Sequence, residues 1–142
     1  MKSKLLFFAV YSFLCSVFFL YPVNADQGAE KAAVDSAEKW LNLVDNGSYE
    51  QSWDEAAEFL KNAVSKEKWL ESMKAFRKPL GKLISRTVIS KQYTTSLPGA
   101  PDGEYVVIQF ETSFGNKEAA IETVTPMLDK DGTWRVSGYY IK

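Results

Sequence analysis

The hydrophobic period changes once along this chain, from 3.6 residues to two, near Lys82, and that switch confines it to a helices-then-sheet architecture. Before it, Ala33, Ala37, Trp40 and Val44 fall at i, i+4, i+7 and i+11, one face of a helix over about residues 29–45. Asp45-Asn46-Gly47 ends that helix, with Gly47 free to take the left-handed position. Ser48-x-x-Gln51 matches a capping box, so a second helix starts at Tyr49 with Trp53, Ala57, Leu60 and Val64 on its buried face. Ser65 caps a third, striped by Trp69, Met73, Phe76 and Leu80 and stopped by Pro79 and Gly81.

Beyond Lys82, alternation predicts strands near residues 83–95, 104–114, 119–128 and 133–141. Short links, among them the Asp131-Gly132 turn, favour an antiparallel meander. Pro126 removes a ladder donor and calls for a bulge or an edge position. The expected fold is α+β, three N-terminal helices packed on a curved four-stranded antiparallel sheet. The strand at 104–114 is apolar on both sides, which suggests a sheet that encloses a pocket or meets a second copy in a homodimer.

The N-terminus bears on location. Lys2 and Lys4, the apolar run Leu5–Tyr21 and the exit Val23-Asn24-Ala25 have the three parts of a secretory leader over residues 1–25. The run is shorter than the ~20 residues of a spanning helix. The expectation is therefore cleavage, a secreted or periplasmic location and no stable membrane insertion afterwards. Phe13-Leu14 before Cys15 lacks the small residue of a lipid-modification site. One domain, residues 26–142, remains.

Cleavage takes Lys2 and Lys4 from the 17 Lys+Arg, leaving 15 against 18 Asp+Glu, so nucleic acid and anionic membrane are poor partners. It also takes the only cysteine, and the chain holds no histidine. Thiolate nucleophiles, Ser-His and Cys-His systems and Cys- or His-ligated metal sites are thereby excluded from the remaining domain. No metal site and no cofactor signature is expected.

Candidate site residues lie on the strands. Residues two apart share a face, pairing Gln109 with Glu111, while Arg135 and Tyr139, four apart, make a second pair and Tyr93 joins them. An acceptor, a fixed cation and a phenol on one face would suit a small anionic or hydroxylated ligand. Glu104 and Glu122, with Tyr105 and Tyr140, extend the acid–base inventory, and Arg86 is a second candidate anion clamp. Asp129 and Asp131 lack the later acidic ligands of a calcium loop and read as a turn. The Trp residues read as core.

Three stretches carry a family likeness. Glu38-Lys39-Trp40-Leu41 leads into Asp45-x-Gly47-x-Tyr49 and Ser52-Trp53, followed by Arg77-x-Pro79-Leu80-Gly81. The others are Tyr93 to Gly103 and Trp134-Arg135-Val136-Ser137-Gly138-Tyr139-Tyr140. Together they resemble the bacterial family called domain of unknown function 4019. The resemblance implies a cone-shaped roll similar to cystatin and nuclear transport factor 2, and it carries over no catalytic residue. The reading is a non-enzymatic domain that binds a small molecule or a protein partner through its sheet. Its rivals are a His-free isomerase or dehydratase working with Asp/Glu and Tyr, and a self-associating structural protein of the envelope.

Overall fold

The computed structural model describes residues 25–142; residues 1–24 of the expected leader, Cys15 among them, lie outside the described residues. Helices α1 (Ala25–Asp45), α2 (Tyr49–Asp54), α3 (Glu58–Ala63) and α4 (Lys66–Phe76) and a 3-10 turn (Lys78–Leu80) come first. Strands β1 (Leu83–Thr94), β2 (Tyr105–Phe114), β3 (Lys117–Leu128) and β4 (Trp134–Ile141) follow. The strands form one antiparallel sheet in the order β1-β2-β3-β4, leaving β1 and β4 as its edges. The fold is α+β, as the period switch requires.

The α1 stripe is core: Ala33, Ala37, Trp40, Leu41 and Val44 are all buried. The helix ends in a Schellman motif, with Gly47 at φ 74°. The Gly47 N–H donates to Val44 O at 3.1 Å and the Ser48 N–H to Leu43 O at 2.8 Å. Ser48 is thereby held at φ −79°, ψ 57°, and its hydroxyl caps nothing. The expected capping box does not form because the same residue completes the previous helix.

The second expected helix is two helices. The Ala57 N–H, which a continuous helix would keep for itself, donates instead to Val136 O on β4 at 2.8 Å. That bond opens the chain at residues 55–57 and docks α3 on the sheet. The stripe is divided accordingly: Ala57 and Leu60 are buried, Trp53 and Val64 only half so. Ser65 does cap α4, its hydroxyl accepting the Lys68 N–H at 3.3 Å. Trp69 and Met73 face the core, but Phe76 is 73% exposed, and Leu80 falls on the 3-10 turn rather than on the helix.

On β2, residues 106, 108, 110, 112 and 114 are buried against the helices, with Ala120, Glu122, Val124 and Pro126 of β3 beside them. Register shifts interrupt all three ladders, and each such bulge bends and twists its strand. One sits between Thr125 and Pro126, which accommodates the proline within a central strand. The outer face of β2 is dry only at Tyr105, whose ring lies against Gly103 and whose hydroxyl donates to Pro101 O. Val107 and Gln109 are half-buried and Glu111 is exposed.

Candidate functional site

Beneath the helices lies a chain of charges. Glu122, in the inward row of β3, is 0% exposed. Its Oε1 accepts from Arg86 Nε at 2.7 Å and from Thr112 Oγ1 at 2.6 Å. Its Oε2 accepts from the Tyr139 hydroxyl. Arg86, on β1, turns its other two nitrogens to Asp45 at 2.7 and 2.9 Å. Asp45 also accepts from Arg77 Nη2 at 3.2 Å, and Arg77 Nη1 donates to Gly81 O at 2.7 Å. The Arg77 guanidinium stacks 4.3 Å from the centre of the Phe114 ring.

These contacts shift two groups, Arg86 and Tyr139. Burial alone would lower the Arg86 pKa, but hydrogen bonds and charge from Asp45 and Glu122 outweigh it, and the net shift is upward. Burial pushes the Tyr139 phenol well above its ordinary value, helped by the charge and hydrogen bond of Glu122. Tyr139 is therefore a hydrogen-bond donor and not a nucleophile. Its ring meets Trp40 edge-on at 5.2 Å. The Trp40 indole donates to Ser52 O at 2.7 Å and the Trp69 indole to Ser52 Oγ at 3.0 Å. Ser52 thus orients both indoles from a fully buried position.

Against this network lies a groove of about 390 Å³ between α4 and the end of β4. Trp69, Met73 and Phe76 form one wall, Tyr139, Tyr140 and Ile141 the other. Arg77 and Leu80 also line it, as do Lys117 and Lys142. Its volume lies within the range of small-ligand and anchor-residue sites, roughly 300–1,000 Å³. Among the described residues no acidic side chain lines it. Lys117 and Lys142 make no ion pair among the described residues.

The five residues singled out from the sequence do not converge. Tyr93 and Tyr139 lie in the helix-facing rows, paired in register with Val106 and Val124, whereas Gln109 and Glu111 lie in the opposite row. The Tyr93 hydroxyl donates to Glu104 at 2.9 Å, which raises the phenol's pKa. Gln109 Oε1 accepts from Ser90 Oγ at 3.2 Å, and Glu111 is exposed. Arg135 sits at the β3–β4 turn, bidentate to Asp131 at 2.8 Å and bonded to Asp129 at 3.1 Å. Those hydrogen bonds, with one from the Thr133 N–H, hold the Asp131 carboxyl down at about 2. Only Tyr139 of the five reaches the groove.

Periodicity missed Phe76 and Arg77 as groove residues because it assigned Phe76 to the core and gave Arg77 no role. Two signals were present. Asp45 is an acid in the last turn of a helix, against the macrodipole, so it needs cations nearby. Glu122 occupies an inward position between Ala120 and Val124, where a carboxylate needs a buried partner.

The described residues include no cluster of three His, Cys, Asp or Glu side chains placed to hold a metal, and no helix long and apolar enough to cross a membrane. Fold and groove define an α+β domain whose helical layer covers the start of the β4 edge and leaves its end open to the groove. The family model for "Protein of unknown function (DUF4019)" matches residues 36–139, and the chain belongs to that family. No curated protein and no solved structure matches it.

Proposed function

We propose that this domain is a non-enzymatic binding module whose ligand sits in the groove between α4 and β4. The ligand has an apolar body and a negative charge. The carrying observation is the composition of the lining: aromatic and aliphatic walls, rim lysines without an ion pair and no acidic side chain among the described residues. Phe76 supports it, since a largely exposed phenylalanine at the mouth of an apolar groove is covered when the groove is filled. The isomerase alternative needs a carboxylate that substrate can reach. The one beside Tyr139 is Glu122, sealed from solvent with both oxygens engaged. That favours binding over proton transfer. We further propose that binding takes place outside the cytoplasm, after removal of residues 1–25.

Anilinonaphthalene sulfonate, apolar with one negative charge, is a suitable probe. It should bind at one site with enhanced fluorescence, and Phe76→Ala or Lys117→Glu should weaken it about tenfold. Dye binding that neither substitution changes would remove the groove as the site.

A further inference from the structure

The sheet edge that forms one wall of the groove offers unmet backbone hydrogen bonds. In an antiparallel ladder, alternate residues of an edge strand turn their N–H and C=O away from the neighbour. At its start β4 is covered: Trp134 O accepts from Ser36 Oγ at 2.7 Å and Val136 O from the Ala57 N–H at 2.8 Å. At its end, Ile121 and Lys142 exchange both ladder bonds, at 3.0 and 2.9 Å. Tyr139 and Ile141 stand opposite Val124 and Glu122, three and one positions from Lys142, so their backbone groups point outward. No backbone bond among the described residues meets them there. The helices that protect the first half of the edge give way to the groove at these two residues.

We infer that the ligand of this groove is an extended acidic–apolar peptide segment of another protein, added to β4 as a fifth strand. The inference rests on the groove reading above and gives it an occupant. Two outward residues at i and i+2 supply two donors and two acceptors, about 6.8 Å apart along the strand, the repeat at which an added strand presents its own. Residues of the added strand level with Tyr139 and Ile141 face Met73 and Phe76, so alternate side chains are apolar. Intervening ones share the face of Tyr140 and Lys142 and carry the negative charge. A second copy of this chain is the less suitable strand. The lining that a second β4 edge brings holds Lys117 and Lys142 again and no acidic side chain to meet the lysines of the first copy.

The test is amide hydrogen exchange on the processed protein with a nine-residue peptide alternating valine and glutamate. Protection of the Tyr139 and Ile141 amides should rise about tenfold at saturating peptide. A valine–lysine peptide, and the valine–glutamate peptide N-methylated at every second residue on the bonding edge, should give no protection. Ile141→Pro removes a donor that the β3 ladder does not use, whereas Ile141→Ala keeps it. The proline variant should bind peptide about tenfold more weakly than the alanine variant at an unchanged melting temperature. Lys142→Glu, which leaves the edge intact, should also weaken binding. Dye that binds in a Phe76-dependent way without any peptide protection would overturn the peptide and leave the groove. Failure of dye and peptide together would remove both. Protection of the two amides that rises with protein concentration alone would replace the foreign peptide with a second copy.

Discussion

Tyr139 belongs to the buried network and to the groove wall at once, its hydroxyl spent on Glu122 and its ring on Trp40 and the groove. Burial and the Glu122 charge raise its pKa, so the folded state keeps the phenol neutral at a pH where an unfolded tyrosine, titrating near ~10, has ionised. The sign follows. The contribution of Tyr139 to stability is complete below pH ~10 and is lost as pH climbs above it, by about 1.4 kcal/mol per unit until the folded value is reached. Tyr139→Phe leaves one Glu122 oxygen short of a donor and should cost about 1–3 kcal/mol at neutral pH. Urea melts between pH 7 and 11 should show wild type losing its advantage over the variant as pH rises. A constant difference across that range would mean that Tyr139 ionises normally in the fold.

At the scale of elements, periodicity was a good guide wherever a segment's burial set its structure, and a poor one where backbone bonds to another segment did. Strand limits follow the alternation to within two residues, and α1 keeps its stripe. The break between α2 and α3 was illegible because its cause is Val136 O, far along the chain and brought near only by the finished sheet. Ser48 could cap one helix or finish another, and local sequence does not choose between them. The tryptophans divide along the same line. Trp40 and Trp69 are buried and bonded to Ser52, while Trp53 is half-buried, its indole on Val64 O and the ammonium groups of Lys61 and Lys66 over its ring. Truncating Trp40 or Trp69 to Ala should cost about 3–5 kcal/mol, and Trp53→Ala clearly less. Thermal melts giving the three equal losses would contradict this division.

For the molecule as a whole, the four buried charges join elements that hydrophobic packing alone would leave free to slide. Asp45 ends α1, Arg77 follows α4, Arg86 is on β1 and Glu122 on β3. Their side chains are at most 10% exposed, so desolvation opposes the network's Coulombic gain. This also explains why the site was only partly legible. Arg86 and Glu122 were visible as chemistry-bearing residues, but their partners lie 41 and 36 positions away, and no spacing rule connects them. If the network fixes the arrangement of helices on sheet more than it stabilises it, removing one charge should be far worse than removing two. Glu122→Leu takes the acceptor from Arg86 Nε and from the Tyr139 and Thr112 hydroxyls, leaving Arg86 only Asp45, and should cost about 3–5 kcal/mol in urea unfolding. Adding Arg86→Met should recover much of that loss, because Asp45 keeps Arg77 and the vacated space becomes apolar. The groove is the readout of specificity. The double variant should regain stability yet bind the naphthalene sulfonate less tightly, since Tyr139 has lost the carboxylate that aims it. A double variant with a loss equal to the sum of the singles would show that the pair contributes nothing as a pair, and full dye binding in it would show that the groove's shape does not depend on the charges beneath it.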